Sequence, residues 1–374
     1  MQLSVIILNY NVRYFLEQCV LSVQKALEGI DGEIIVIDNA SSDESCEMMK
    51  TKFPHIKLIE NKENLGFPKG NNIGVAQAKG EYICILNPDT VVAEDTFSKI
   101  LNSQLITHNS QLGIIGCKLI DGSGNFLPES KRGVPTPWVA FTKIFGLYKI
   151  SNYFGKYYAQ HLSENETGKV DILVGAFMVM KRELYLEVGG FDENCFMYSD
   201  DIDLSYLVLK SGKSNYYYHE TSVIHYKGES TVRDGTYMKR FREAMQFFYK
   251  KHFKKSWFFD VMMQVGSFVF SLLKKNQQKN EVRIIDEYVV FSKGNLELNL
   301  SKKATYLSDF NQFVHQSQKN LEIIFDTTTF SFAEIITFMQ LNKSKNLSFK
   351  NYISSSNYLI GSNNSNDRGQ IILL

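Results

Sequence analysis

The stretch EYICILNPDT, Glu81 to Thr90, sets the reading of this chain. Its YICIL run (82–86) is short, apolar and unbroken, and it stops at Asn87-Pro88-Asp89-Thr90. A continuous apolar run of that length reads as a strand buried on both faces of a parallel sheet. Working outward, the same unit recurs in LSVIIL (3–8), EIIVID (33–38), IKLIE (56–60) and LGIIGC (112–117). Segments near 12–28, 43–52, 69–79 and 94–107 carry helical spacing. This alternation predicts an α/β fold, a parallel sheet with helices on both faces. Ligands of such sheets gather at the carboxyl ends of the strands.

Those ends are polar in a consistent way. The first run ends in Asn9-Tyr10-Asn11, the second in Asp38-Asn39-Ala40-Ser41-Ser42-Asp43, the third near Asn61 and Asn64-Leu65-Gly66-Phe67, the fourth in Asn87-Pro88-Asp89. Asn, Asp and Ser are also good turn and cap residues. Ser41 with Glu44 has the spacing of a capping box. Their coincidence at successive strand ends points to a shared polar crevice.

The totals bound the alternatives. The 374 residues are 44% hydrophobic and 22% charged, which fits one large domain and a smaller one. A net charge of +1 gives no global pull toward nucleic acid. Cys19, Cys46, Cys84, Cys117 and Cys195 form no CxxC pair, so a reduced, cytoplasmic setting is expected. The first strand-like run starts at residue 3, so no signal peptide is expected.

Farther along, DGSGN (121–125) reads as a hairpin-like turn. VDILVGAFMVMKRE (170–183) reads as strand then helix, and NYYYHETSVIHY (215–226) as a strand before helical spacing near 236–253. SWFFDVMMQVGSFVFSLL (256–273) lies between lysine-rich flanks. Asp260 and Gln264 interrupt it, and an Asp near the centre of a span costs roughly 2.5–3.5 kcal/mol. With Ser267, Ser271 and Lys275 they form one narrow polar stripe, the pattern of a helix lying in a membrane interface, with packing against the protein's own core as the alternative. The domain reading is therefore 1–250, an interfacial helix and linker at 251–283, and a small α/β unit at 284–374. Within that unit EYVVF, ATYL, LEIIF, LSFKNY, YLIGS and QIILL read as strands, DFNQFVHQ and SFAEIITFMQ as helices.

Phosphate-binding motifs discriminate further. There is no GxxxxGK[ST], and no GxGxxG follows the first strand, which disfavours a P-loop NTPase or a dinucleotide dehydrogenase. Gly66, Gly70 and Gly74 recur every four residues, a spacing that serves either backbone approach to a phosphate, with Lys69 nearby, or tight helix–sheet packing. FMYSDDIDLSYL (196–207) sets Asp200, Asp201 and Asp203 at a helix start, where carboxylates favour the positive end of the dipole. Asp200 as N-cap would pair with Asp203 at N3, leaving Asp201 without a capping duty.

Taken in order, VIILNYN, EIIVIDNASSD, NLGFPKGNN, YICILNPDT, VGAFMVMKRE, GGFDENCFMYSDDIDLSYL and HYKGEST resemble the family-2 glycosyltransferases of the GT-A fold, in detail their bacterial rhamnosyltransferase-like branch. The resemblance covers roughly residues 1–250 and implies a mixed, mostly parallel sheet. It implies an inverting transfer of a sugar, with dTDP-rhamnose as the expected donor within the dTDP- or UDP-sugar class. The expected acceptor is a saccharide or lipid-linked saccharide, at the cytoplasmic face of the inner membrane. Asn9 and Tyr10 would line the base pocket, Asp38 would bind the base edge, and Asn64, Gly66 and Asn71 would face ribose and diphosphate. Asn87-Pro88-Asp89 stands where the family carries DxD, with Asp89 on Mg²⁺ or Mn²⁺ and His225 beside it. Lys227 and Arg233 are expected to clamp the leaving group, and Gly175 with Asp200 to shape the acceptor side. Asp201 would be the general base; the family's usual Glu just before it is Asp200 here. Two other classes stay open. A sugar-phosphate nucleotidyltransferase would need a glycine-rich basic loop after the first strand, where this chain has Asn9-Tyr10-Asn11-Val12. A degenerate saccharide-binding module would not need Asp89 and Asp201.

Overall fold

The computed structural model describes residues 1–136, 138, 139, 142, 150–227, 235–253, 284–315, 318–363 and 369–374. Four parallel strands open the chain: β1 (Leu3–Asn9), β2 (Gly32–Asp38), β3 (Lys57–Glu60) and β4 (Tyr82–Leu86). The crossovers are α1 (Arg13–Ala26), α2 (Ser45–Lys52) and α3 (Gly66–Ala76). The strand order β3-β2-β1-β4 reverses beside β1, so the carboxyl ends of β1 and β4 flank a topological switch point. Packing on that sheet answers the glycine question at two positions. A Cβ at Gly70 would lie 2.4 Å from Leu8 Cδ1, and one at Gly74 would lie 2.5 Å from Ile37 Cδ1. Both glycines let α3 sit tight on β1 and β2.

The sheet continues through β5 (Thr90–Val91), β6 (Leu112–Ile120), β7 (Gly168–Val170), β8 (Phe177–Lys181) and β9 (Ser214–His225), in the order β4-β8-β6-β9-β5. β8 runs antiparallel to β4 and β6, while β9 runs parallel to β6, so the sheet is mixed and mostly parallel. The helical stretch expected over 94–107 is two short helices, α4 (Thr96–Leu101) and α5 (Gln104–Thr107), because Ser103 adopts an extended conformation between them. Three further helices are α6 (Arg182–Glu187), α7 (Asp200–Lys210) and α8 (Gly235–His252).

A second sheet follows: β10 (Glu287–Phe291), β11 (Ala304–Leu307), β12 (Leu321–Asp326), β13 (Leu347–Ile353), β14 (Tyr358–Gly361) and β15 (Gln370–Leu373), with α9 (Phe332–Leu341) between β12 and β13. Its order is β11-β10-β12-β13-β14-β15; the first four strands are parallel and the last two antiparallel. The helix expected at DFNQFVHQ is only a 3₁₀ turn, Phe310–Gln312, closed by a capping box between Asp309 and Gln312. Phe313 is already extended. Packing decides this, since Phe310 and Phe313 both reach the Phe338 ring, at centroid distances of 4.6 and 5.4 Å.

The two sheets share one apolar core. Val12, Phe15, Val91, Ile224 and Tyr226 of the first cluster with Phe291, Ile323, Phe325 and Phe349 of the second. Polar contacts tie the seam: Lys25 Nζ donates to Thr327 O at 2.9 Å and Tyr358 Oη to Tyr14 O at 3.0 Å. The expected interfacial helix at 256–273 and linker at 274–283 lie outside the described residues. Among the described residues no helix is long and apolar enough to cross a membrane.

Candidate active site

Asn9 at the end of β1 and Asp38 at the end of β2 are opposite one another in register. Asn9 Nδ2 donates to Asp38 Oδ1 at 2.8 Å, and Ser41 Oγ donates to the same oxygen at 2.6 Å. Ser41 N donates to Asp38 Oδ2 at 2.8 Å. The expected capping box between Ser41 and Glu44 is absent, because Ser41 is committed to the buried carboxylate, a charge-assisted bond. Glu44 instead pairs with Arg13 at 2.7 Å, and α2 begins at Ser45 under Asp43. Asp38 thus folds the loop that leaves Tyr10 about half exposed beside it, and Asn9 Oδ1 is buried without a partner.

The third strand end closes onto the same place. Asn64 Oδ1 accepts Gly66 N at 3.0 Å and Asn39 Nδ2 at 3.3 Å. Gly66 has φ +81°, a left-handed conformation that favours glycine, and a Cβ there would sit 2.8 Å from Phe196 Cδ2. Phe67 N donates to Phe196 O at 3.1 Å, so the turn into α3 is bonded to the turn into α7. Asn71 is fully buried, its Nδ2 donating to Phe67 O at 2.9 Å while its Oδ1 lacks a partner. Lys69 is exposed.

Asp89 and His225, 136 positions apart in the chain, meet because Thr90 of β5 pairs with His225 of β9. His225 Nε2 lies 3.4 Å from Asp89 Oδ1 and 3.4 Å from Asn87 Nδ2. Burial pushes the Asp89 carboxyl up, but His225 and the backbone N–H groups of Asp89 and Lys227 together more than offset it and hold the group below its usual range. His225 Nδ1 and Asn87 Oδ1 are both buried with no hydrogen-bond partner. Two orphaned polar atoms beside a carboxylate–imidazole pair fit a divalent cation, since such atoms are rarely left unsatisfied in a native site. Among the described residues no three His, Cys, Asp or Glu side chains converge, so the protein offers this pair and its amide neighbour. Lys227 forms an ion pair with Glu129, which ties it to the 128–130 turn. Arg233 lies outside the described residues.

The acid cluster departs from its expected capping pattern. Ser199, not Asp200, is the N-cap residue of α7, and it makes no side-chain cap bond. Two of the three carboxylates, Asp201 and Asp203, are taken up by charged partners from other parts of the chain. Asp203 is fully buried and accepts Lys251 Nζ at 2.8 Å and His252 Nε2 at 2.5 Å, which pins α7 to α8. Asp201 Oδ2 accepts Arg132 Nη2 at 2.5 Å and Gly175 N at 3.1 Å. Burial and then the neighbouring Asp201 charge push the Asp200 carboxyl up to about 7. Asp201, expected only to lack a capping duty, sits in an ion pair with Arg132 on the side of Gly175. Arg132 was missed because it stands 69 positions before its partner, in a loop with no periodicity. The one available signal is a charged residue in a long irregular connection, the usual setting of functional groups.

A model of the glycosyl transferase family 2 matches residues 4–189. The N-acetylglucosaminyl-diphospho-decaprenol L-rhamnosyltransferase of Mycobacterium tuberculosis is 26% identical over 243 residues, covering 62% of this chain and 78% of that protein. The minor teichoic acid biosynthesis protein GgaB of Bacillus subtilis is 24% identical over 280 residues, 74% of this chain and 27% of that protein. Among solved structures, a mannosyltransferase from Pyrobaculum calidifontis in complex with GDP-Man and Mn²⁺ is 18% identical, with a TM-score of 0.47, covering 72% of this chain and 69% of that one.

Proposed function

The chain belongs to glycosyl transferase family 2 through residues 4–189, and on that premise we propose that it moves a sugar, rhamnose foremost, from a dTDP- or UDP-sugar to a lipid-linked saccharide in cell-surface glycan synthesis, with inversion. The observation that carries this reading is the division between the acid past β4 and the acid at the start of α7. Asp89 is held by His225, whereas Asp201 is held by Arg132 and Gly175, so the two carboxylates belong to separate charge systems. Displacement at an anomeric carbon needs that division. Negative charge develops on the leaving diphosphate at one side, and a proton leaves the attacking hydroxyl at the other.

Tyr10, Asn9 and Asp38 hold the base and ribose end, with the exposed Tyr10 ring as the stacking face. Asn64, Gly66 and Asn71 shape the turn under the ribose and diphosphate. Asn87, Asp89 and His225 would hold a Mg²⁺ or Mn²⁺ ion, which would supply positive charge to the diphosphate oxygens. Gly175 and Asp200 border the acceptor, and Asp201 accepts the proton of its hydroxyl. The rhamnosyl and polyprenyl-linked choices draw on the name of the mycobacterial relative, to which 62% of this chain aligns. Attachment to the cytoplasmic membrane face through residues 251–283 belongs to the same proposal.

The test uses purified full-length protein with dTDP-rhamnose, Mn²⁺ and a short-chain N-acetylglucosaminyl-diphosphoprenol. Acceptor-dependent dTDP release, with a rhamnosylated product of inverted configuration, is expected. Asp201→Asn should lower the rate by about 10²–10⁴, the usual range for losing a general base, while dTDP still raises the melting temperature. Undiminished transfer in Asp201→Asn would sink the base assignment.

A further inference from the structure

Asp201 is held asymmetrically. Both of its hydrogen-bond donors, Arg132 Nη2 and Gly175 N, go to Oδ2, and Oδ1 accepts no hydrogen bond among the described residues. Arg132 is itself anchored before it meets the carboxylate. Its Nη2 also donates to Leu173 O at 2.9 Å, its backbone N donates to Ile172 O at 2.9 Å, and Ile172 N donates back to Arg132 O at 2.9 Å. The residue is 8% exposed, with the Tyr157 phenol beside its guanidinium. Burial disfavours the cation, yet the Asp201 carboxylate and the Tyr157 phenol together more than compensate and hold the guanidinium above its usual range. Nη2 bonded to the Leu173 carbonyl and to Oδ2 at once fixes the place of that one oxygen, which a mobile ammonium does less firmly. Asp203 is served by Lys251 and His252 from α8, so the Arg132 bond is directed to Asp201 alone of the three acids.

We propose that Arg132 is the positioning residue of the transfer: by pinning Oδ2 of Asp201 it presents Oδ1 as the oxygen that takes the acceptor's proton. The inference rests on Asp201 being the base. In the step, the acceptor O–H bond breaks and its proton passes to Oδ1. The oxygen lone pair forms the new bond to the anomeric carbon. The bond from that carbon to the diphosphate breaks, and its electron pair leaves on the diphosphate oxygen. Geometry of this kind sets rate rather than donor affinity, and a displacement of about 1 Å can cost about 10²-fold.

Steady-state kinetics with dTDP-rhamnose, Mn²⁺ and the short-chain N-acetylglucosaminyl-diphosphoprenol would test it, with melting curves confirming that each variant folds. Arg132→Gln should lower kcat by about 10–100-fold and move the donor KM less than about threefold. Arg132→Lys keeps the buried cation and so guards against a folding failure; it should recover part of kcat but not all. In an Asp201→Asn background, Arg132→Gln should cost less than about twofold, because the carboxylate it orients is gone. Equal losses in the Gln and Lys variants, a loss confined to KM, or the same cost with and without the Asp201 carboxylate each overturn the proposal. If the unmodified enzyme transfers from no nucleotide sugar, or Asp201→Asn keeps full transfer, the functional reading fails first and takes this inference with it.

Discussion

The carboxylate of Glu94 accepts the backbone N–H of Phe332 at 2.8 Å, and its second oxygen accepts Ala333 N at 2.9 Å. A residue of the first sheet's β5–α4 connection thus satisfies two of the four unpaired donors at the start of α9 in the second sheet's layer. Ser331 caps the same helix by accepting Glu334 N. Negative charge at a helix N-terminus also complements the dipole. The seam between the two sheets is therefore polar and specific at this point, and apolar around Phe15 and Tyr226.

Glu94→Ala should lower stability by about 1–2 kcal/mol, the cost of a lost cap in a partly buried setting. Chemical denaturation would check it. The transition should stay single, because the shared core couples both sheets. A split into two transitions would show that the C-terminal unit folds independently of the first sheet.

Gly66→Ala places a methyl group in a left-handed backbone conformation and against Phe196, whose carbonyl oxygen is 2.9 Å from the new carbon. Strain of about 1–3 kcal/mol is expected from the backbone alone. Because Phe67 N is bonded to Phe196 O, the donor-side turn and the acid-bearing turn should shift together. Donor KM and kcat are both expected to suffer, whereas a Gly29→Ala control, also at positive φ but with nothing within 4 Å, should cost stability and leave kinetics alone.

Much of the frame is legible in the sequence, because buried parallel strands are nearly pure runs of apolar residues. YICIL, LSVIIL and EIIVID each became strands, and the polar ends of the last two are joined by the Asn9–Asp38 hydrogen bond. Asp89 stands just past a strand-like run in the sequence, whereas His225 is singled out only through the family resemblance, and their meeting across 136 positions has no local signal. What escaped depends on partners distant in the chain. Ser41 fits a capping box by spacing, but a buried Asp38 three residues earlier outcompetes the helix for its hydroxyl. Asp200 and Asp203 fit another, but Lys251 and His252 on α8 claim Asp203. Arg132 carries no signal beyond being a charge in an irregular connection, and its meaning arises only when it pairs with Ile172. Likewise the small C-terminal unit reads as separate by composition, yet Phe15 and Tyr226 bury their rings against it.

The pH dependence of stability follows from Asp200. Its carboxyl is pushed to about 7 by burial and by Asp201, while in the unfolded chain an Asp titrates near 3.9. Between about pH 4 and 7 the folded protein holds a proton that the unfolded chain has released. Stability from this group is therefore greatest at low pH, declines as pH rises through that window, and is lowest above about 7. Asp200→Asn removes the penalty. The variant should melt higher than the unmodified protein at pH 8, and the difference should shrink toward pH 5. Thermal melts across that range would check it; a constant offset at all pH values would show that Asp200 does not titrate there.

Metal removal offers the sharpest test of the other side of the site. Asp89 Oδ1 and His225 Nε2 stand 3.4 Å apart, with Asn87 Oδ1 and His225 Nδ1 buried and unsatisfied around them. If the pair holds a cation together with a diphosphate, ion and nucleotide should stabilise the protein cooperatively. In thermal melts, dTDP with Mn²⁺ should raise the melting temperature more than the separate effects combined, and chelation should erase the excess. Asp89→Asn keeps the shape and removes the charge, so it should lose that excess while dTDP alone still binds through the Asn9–Asp38 end. His225→Gln should weaken it by about 10–100-fold in metal affinity, the usual cost of disturbing a metal's supporting residues. Retention of the full cooperative shift in Asp89→Asn would place the cation elsewhere and leave Asp89 a structural partner of His225.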